Sequence, residues 1–187
     1  MMKKAIRVLG IAESFRPNDV KSRLAGIVMR SDLVIDGFVF GAATLRGNDA
    51  TKTLLKMYRD LKRGDIKVIL LSGCIISQYN IIDLEHLATK TGIPVICVTY
   101  RESDGIEKAI TELFADDHEK FGQYQNLRPP SRLALHTGYR VYIRSAGLSE
   151  NYSAFVVNAF TLQGAIPEPI RVARLLARAV PMRRRTQ

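Results

Sequence analysis

The sequence predicts an α/β protein: one mixed sheet of five strands, flanked by helices. Two observations predict it. Up to Thr44 the chain holds three strand-like runs, AIRVLGIA, RLAGIVMR and LVIDGFVFGAAT, separated by breaks that suit antiparallel neighbours. From Asn48 to Tyr100 helix and strand alternate, and the strands IKVILLSG and PVICVTY are apolar on both faces, as parallel strands joined by right-handed crossovers are. With 187 residues and 47% apolar composition, the chain supports one sizeable core, so residues 1–187 are expected to form a single domain with a basic tail over 181–187.

Each element has a local reason. The three first runs form a meander, and Ser31 and Asp32 make a break short enough for a tight hairpin. Between Asn48 and Arg63, Ala50, Leu54, Met57, Tyr58 and Leu61 recur at helical spacing, with Gly64 as the stop. A second helix runs from about Asn80 to Thr91 and closes at Gly92. A third carries Ile106, Ala109, Ile110, Leu113 and Phe114 on one side, and the prolines of LRPPSR end the polar segment that follows. ALHTGYRVYIRSAG reads as a strand or a hairpin. SENYSAFVVNAFTL reads as a largely buried helix started by Ser149, and EPIRVARLLARAV as a last helix beginning near Pro169.

Composition narrows the function classes. No apolar run approaches the roughly 18 residues of a membrane span, and MMKKAIRV lacks the apolar core of a signal peptide, so a cytoplasmic protein with no membrane partner is expected. Cys74 and Cys97 lie in apolar runs without metal-ligand spacing and read as buried thiols. His86, His118 and His136 share no ligand spacing and read as surface residues. Lys and Arg outnumber Asp and Glu by 28 to 18, and from Pro169 onward there are six arginines and no acid. Such an end suits a polyanion, most often nucleic acid, or simply a solvated surface; charge alone leaves both open. In the last helix Arg171, Arg174 and Arg178 form a stripe opposite Val172, Leu175, Leu176 and Ala179, fitted to hold backbone phosphate.

A three-stranded meander followed by helix, strand, helix, strand is the order of the ribonuclease H-like fold, with the first strand central and beside the fourth. Ligands then collect where these two strands end. GIAESF, LSGCIIS and GNDAT therefore carry the candidate site: Ala12 and Glu13, Ser72 and Gly73, and Asp49, with Asn80, Asp83 and Glu85 nearby. Metal-assisted phosphodiester hydrolysis needs converging carboxylates on a hard cation. Asp49 and Asp83 also suit a helix start for dipole and amide reasons alone, and Glu13 a solvated loop.

The segments VLGIAESF, GNDAT, VILLSGCIISQYNIIDLEHL, TGIPVICV and GAIPEPIRVARLLARAV together resemble the archaeal endonuclease dU family, formerly a domain of unknown function and related to endonuclease V, from about Ile6 to Val180. The resemblance implies a ribonuclease H-like fold, Mg2+ or Mn2+ as cofactor, and DNA with deaminated bases, uracil in particular, as the substrate of a repair endonuclease. Asp49 matches the family aspartate of the helix start and Asp83 keeps its place, but Ala12 and Ser72 stand where two metal-binding aspartates are expected. The expected site has Asp49, Glu13 and Asp83 as catalytic residues, and Asp49 with Glu13 as metal ligands. Ala12, Ser72, Gly73 and Asn80 line the cleft, and Arg171, Arg174 and Arg178 hold nucleic acid. Strand alternation turns Glu13 away from the face of Ala12. A noncatalytic nucleic-acid-binding or partner-binding relative is the alternative, a nucleotide-binding cleft a third, and a homo-oligomer is compatible with each.

Overall fold

The computed structural model describes residues 6–100, 106–114 and 117–180. β1 (Arg7–Ser14), β2 (Lys21–Arg30) and β3 (Ile35–Thr44) make the expected antiparallel meander, with Ala12 opposite Ala25 and Ala25 opposite Phe40. The β2–β3 turn is longer than Ser31–Asp32: Leu33 takes φ 66° and donates to the Arg30 carbonyl, so the turn extends to Val34. Then follow α1 (Ala50–Leu61), β4 (Ile66–Ser72), β5 (Ile75–Ile76), β6 (Asn80–Ile81), α2 (Leu84–Thr91) and β7 (Val95–Thr99). The second half adds α3 (Ile106–Leu113), α4 (His118–Gln125), β8 (Ser131–Ala134), β9 (Arg140–Ala146), α5 (Glu150–Ala159) and α6 (Glu168–Ala179).

The sheet has the order β3-β2-β1-β4-β7-β9-β8, with β1 parallel to β4 and β4 parallel to β7. Its first five strands are the expected mixed sheet. The hairpin β8–β9 extends it to seven, because β9 pairs antiparallel with β7 and buries Val141 and Ile143.

Pleating divides the core. Leu9 and Ile11 of β1 and Ile69 and Leu71 of β4 face α1 and α2, where Leu54, Met57 and Leu87 meet them. Val8 and Ala12, with Val68 and Leu70, face α5 and α6, where Val157, Phe160, Ile170 and Ala173 meet them. Ser72 continues the row of Val68 and Leu70, and Glu13 the row of Leu9 and Ile11. α6 lies close on β1 because Gly10 has no side chain: a Cβ there would stand 2.4 Å from Cβ of Pro169.

Several local expectations are corrected. α1 stops at Lys62, which takes φ 50° itself and donates to the Arg59 carbonyl, so Gly64 is not the stop. α2 begins at Leu84 instead of Asn80, because Asn80 and Ile81 pair with Ile75 and Ile76 in a small hairpin and Asp83 is the N-cap. The polar segment before LRPPSR contains α4, capped by Asp117. α5 leaves Tyr152 and Phe155 exposed, so it is a half-covered helix. In α6 the buried row is Ile170, Ala173 and Ala177, while Leu175 and Ala179 are exposed beside the arginines. Among the described residues no helix is long and apolar enough to cross a membrane. The tail 181–187 lies outside the described residues.

Candidate functional site

Asp49 precedes α1, yet its side chain does not cap that helix. It turns back to β3, where it accepts from the Thr44 N–H at 2.9 and 3.2 Å and from the Thr44 hydroxyl at 2.8 Å. Asn80, fully buried, supplies the cap: its Oδ1 accepts from the Ala50 N–H at 2.9 Å, and its Nδ2 donates to Asp49 at 2.7 Å and to the Thr44 carbonyl at 3.0 Å. Burial pushes the Asp49 carboxyl up, but the donors from Thr44 and Asn80 outweigh it and hold it below its ordinary value.

Glu13 is engaged separately. Both carboxylate oxygens accept from the Ser77 N–H at 2.9 Å, and one also accepts from the Ser77 hydroxyl at 2.9 Å. The Ser77 hydroxyl meets that of Ser22 in turn. Ser77 opens a run of three consecutive non-glycine residues in the left-handed region, with φ 49°, 52° and 73° at Ser77, Gln78 and Tyr79. Such backbone costs about 1–2 kcal/mol per residue and persists only where surroundings over-determine it. Here Glu13 and Ser22 fix one end, the Arg46 N–H donates to the Ser77 carbonyl at 2.7 Å, and Lys120 holds the other end. The Lys120 ammonium, on a fully buried side chain, donates to the carbonyls of Arg46, Gly47 and Tyr79 at 2.9–3.1 Å and stands 4.5 Å from the Phe114 ring centre. The loop and Glu13 line an open cleft of about 380 Å3 with Phe15, Arg46, Ile75 and Leu113.

The α6 face of the same strand ends holds a different set. Ala12 and Ser72 face it, and Arg174 reaches from α6 to donate to the Ser72 hydroxyl at 2.8 Å. The guanidinium lies 5.4 Å from the Tyr100 ring centre. The Tyr100 hydroxyl is buried beside Ser72 and Arg174, without a hydrogen bond of ordinary geometry among the described residues. Burial pushes its pKa up to about 12, so it remains a donor at neutral pH. Methyl, hydroxyl, phenol and guanidinium make a donor-rich, acceptor-poor set, the opposite of a hard-cation site.

The remaining expected residues are spread out. Asp83 caps α2 by accepting from the His86 N–H at 2.9 Å, and its own N–H donates to the Thr51 hydroxyl at 3.0 Å. The Gly73 N–H donates to the Val98 carbonyl at 3.0 Å, closing the crevice between the strand ends to about 10 Å3. Arg171 pairs with Glu168, whereas Arg178 is exposed. Among the described residues no three His, Cys, Asp or Glu side chains converge to hold a metal ion. Asp49 and Glu13 share the α1 face, but no third acidic side chain joins them among the described residues, and two carboxylates bound to separate partners are too sparse a set for a hard divalent cation. Cys74 and Cys97 are buried free thiols; contact with Cys97 and the adjacent Arg144 guanidinium hold Cys74 below its ordinary value, while Cys97 is pushed up. Sequence reasoning missed Lys120 and Tyr100, and it reached Ser77 only as the end of LSGCIIS without its role, because what each of them meets lies far along the chain. The strand ends GIAESF and LSGCIIS and the change from strand to helix around GNDAT were the local signals of this region.

The profile of the endonuclease dU family matches residues 4–181. This chain belongs to the endonuclease dU family. A UPF0215 protein of Pyrobaculum calidifontis is 36% identical over 173 residues, covering 92% of this chain and 95% of that protein. Among solved structures, an Archaeoglobus fulgidus protein of unknown function superposes with a TM-score of 0.79 at 27% identity, covering 93% of this chain and 97% of that one. Endonuclease V of Ciona intestinalis, in complex with a DNA 24mer containing an inosine, superposes with a TM-score of 0.63 at 16% identity over 94% and 85% of the two chains. This family member thus has the ribonuclease H-like fold that the sequence implied.

Proposed function

We propose that this endonuclease dU family member is a nucleic-acid-binding protein that grips phosphate at the ends of β1 and β4 and does not cut through a metal held there. The observation that carries this reading is the Arg174–Ser72 bond beside Ala12. A guanidinium fixed at the strand ends favours an anion and disfavours a divalent cation, and its planar fork of five N–H donors suits phosphate oxygens. The formal charge of +10 adds long-range attraction to a polyanion. DNA containing uracil or another deaminated base is the ligand class that the family name suggests, and the inosine DNA bound by the Ciona protein supports it. The cleft at Phe15, Gln78 and Tyr79 offers aromatic and amide surfaces to a base taken out of the stack.

The test is binding and cleavage of uracil-containing, inosine-containing and undamaged DNA, with Mg2+ or Mn2+ present. The expected outcome is binding that weakens with salt and yields no cleavage products. Arg174→Ala lowers the affinity for all sequences and reduces the salt slope by about one unit, as the loss of one phosphate contact does. Cleavage by the unaltered protein that disappears in Asp49→Ala replaces this reading with that of a deaminated-DNA endonuclease using Asp49, Glu13 and Asp83. Failure to bind at low salt removes both.

A further inference from the structure

β3 ends the strand order of the sheet, and its side chains on the α6 face are unusually apolar for an open position: Phe38 is 54% exposed and Phe40 49%. Val34 and Ile35 at its start are exposed as well. The open backbone edge can be assigned. Thr44 turns its N–H to Asp49 and its carbonyl to Gly47 and Asn80, away from β2. Alternation places the N–H and carbonyl groups of Phe40 and Phe38 on that same outer edge. The carbonyls of Ala42 and Asp36 on this edge are occupied by the Thr53 hydroxyl at 3.4 Å and by Arg63. For the edge groups of Phe38 and Phe40, no partner is found among the described residues.

Open edges are ordinarily guarded by Lys, Pro or a bulge in mid-strand. β3 has no Lys or Pro, and its one charged residue, Asp36, is consumed by ion pairs with Arg7 and Arg63. The irregularity in its pairing with β2 lies at the far end, beside Met29, and leaves the middle regular. That middle reads Gly37-Phe38-Val39-Phe40-Gly41, which is the same in both directions about Val39. A palindrome on an open strand is self-complementary under a twofold axis, because antiparallel pairing about its centre sets like chemistry against like.

We infer that β3 pairs with β3 of a second copy of this chain, antiparallel and centred on Val39, to make one continuous sheet. Phe38 then lies opposite the partner's Phe40, and Phe40 opposite the partner's Phe38, forming aromatic cross-strand pairs on one face. The unpaired edge groups of these residues form the connecting ladder. The twofold axis is perpendicular to the sheet, so both α6 helices lie on the same side and the two arginine rows face the same ligand. Each ring is about half exposed, and aromatic side chains bury roughly 150–250 Å2 apiece, so the four rings cover on the order of 400 Å2. With the strand edges, this is at or below the low end of specific interfaces, and the dimer dissociates readily. Each copy carries +10, so salt strengthens this association while it weakens binding to nucleic acid.

Sedimentation equilibrium of the full chain over a range of concentrations, at low and high salt, gives the first readout. A monomer–dimer equilibrium that shifts to dimer with salt is expected, together with hydrogen exchange over residues 37–41 that slows as concentration rises. The double variant Phe38→Lys, Phe40→Lys places four ammonium groups on the ladder. It is expected to be monomeric with the circular dichroism and melting temperature of the parent, and to retain Arg174-dependent binding of short DNA. An unaltered protein that stays monomeric at high concentration and high salt overturns the inference. So does a dimer whose 37–41 amides exchange at the same rate at all concentrations, or a folded double variant that still dimerises. Weaker DNA binding in Arg174→Ala tests the nucleic-acid reading independently, because that variant leaves β3 intact.

Discussion

At the start of α1 the roles of two polar residues are exchanged relative to simple capping rules. Asn80 takes the first free amide of the helix, and Asp49 instead ties β3 to Asn80 through Thr44. Removing the Asp49 carboxylate leaves the Thr44 N–H and the Asn80 amide without their acceptor, so Asp49→Ala is expected to cost about 1–3 kcal/mol, read from the urea midpoint. The sign with pH follows from its lowered folded-state pKa. The contribution is fully present above the ordinary carboxyl value of 3.8 and is lost as pH falls through the lower folded value. Below pH 4 the parent therefore loses more stability than Asp49→Ala does, and acid titration of the two by circular dichroism checks it. Ser72 and Ala12 differ in kind from Asp49: they contribute by what they lack, since neither brings a negative charge to the end of its strand.

At the scale of elements, the loop between β5 and β6 stores strain beside the cleft. Its three left-handed residues are held from four sides, by Glu13, Ser22, Arg46 and Lys120. Glycine at Gln78 removes the Cβ penalty of about 1–2 kcal/mol and adds about 0.5–1 kcal/mol of backbone entropy cost, so Gln78→Gly is expected to stabilise by about 0.5–1 kcal/mol. Thermal unfolding then shifts upward by roughly 1–4 °C. The Gln78 side chain lines the cleft, so the same variant is expected to bind deaminated DNA less well than the parent, measured by fluorescence anisotropy. A stabilising change that weakens binding separates strain kept for a ligand from strain that is merely tolerated. Lys120 was illegible from its own surroundings, HEKFGQYQ, because each of its acceptors comes from another part of the chain.

At the scale of the molecule, the seating of α6 on β1 decides where Arg174 sits. The contact is possible only because Gly10 is bare: an added Cβ would meet Pro169 backbone and side-chain atoms at 2.4–2.8 Å. Gly10→Ala is expected to lift the first turn of α6 and cost about 1–3 kcal/mol or more by overpacking, seen as a lower urea midpoint with an unchanged m-value. Displacement of α6 also moves Arg174 from Ser72, so affinity for DNA falls in Gly10→Ala although no charge is removed. The seven-stranded order places this helix and the hairpin β8–β9 on different strands, with β8–β9 at the β7 edge and β3 at the other.

Strand and helix placement was readable from the sequence because the signals are local: period-two and period-3.6 apolar patterns, Gly92 in the left-handed conformation after α2, Ser149 as the N-cap of α5 and Pro169 in the first turn of α6. That Ala12 and Ser72 stand where a carboxylate site is expected was implied by the family resemblance and by no local pattern. The face on which each lies, and what replaces the missing charge, are tertiary facts. Arg174 meets Ser72 across 102 positions of sequence, and Ser77 meets Glu13 across 64. No periodicity encodes such pairs, since they arise only when the parallel crossover brings β1 and β4 together and α6 packs over them. The sequence by itself determined the meander, the strand-helix alternation after it and the last two helices, whereas β5, β6 and α4 emerged only in the folded chain. Only the packed sheet decided that an arginine faces the gap, because pleating sorts neighbouring residues to opposite faces and helix packing sets what meets them there.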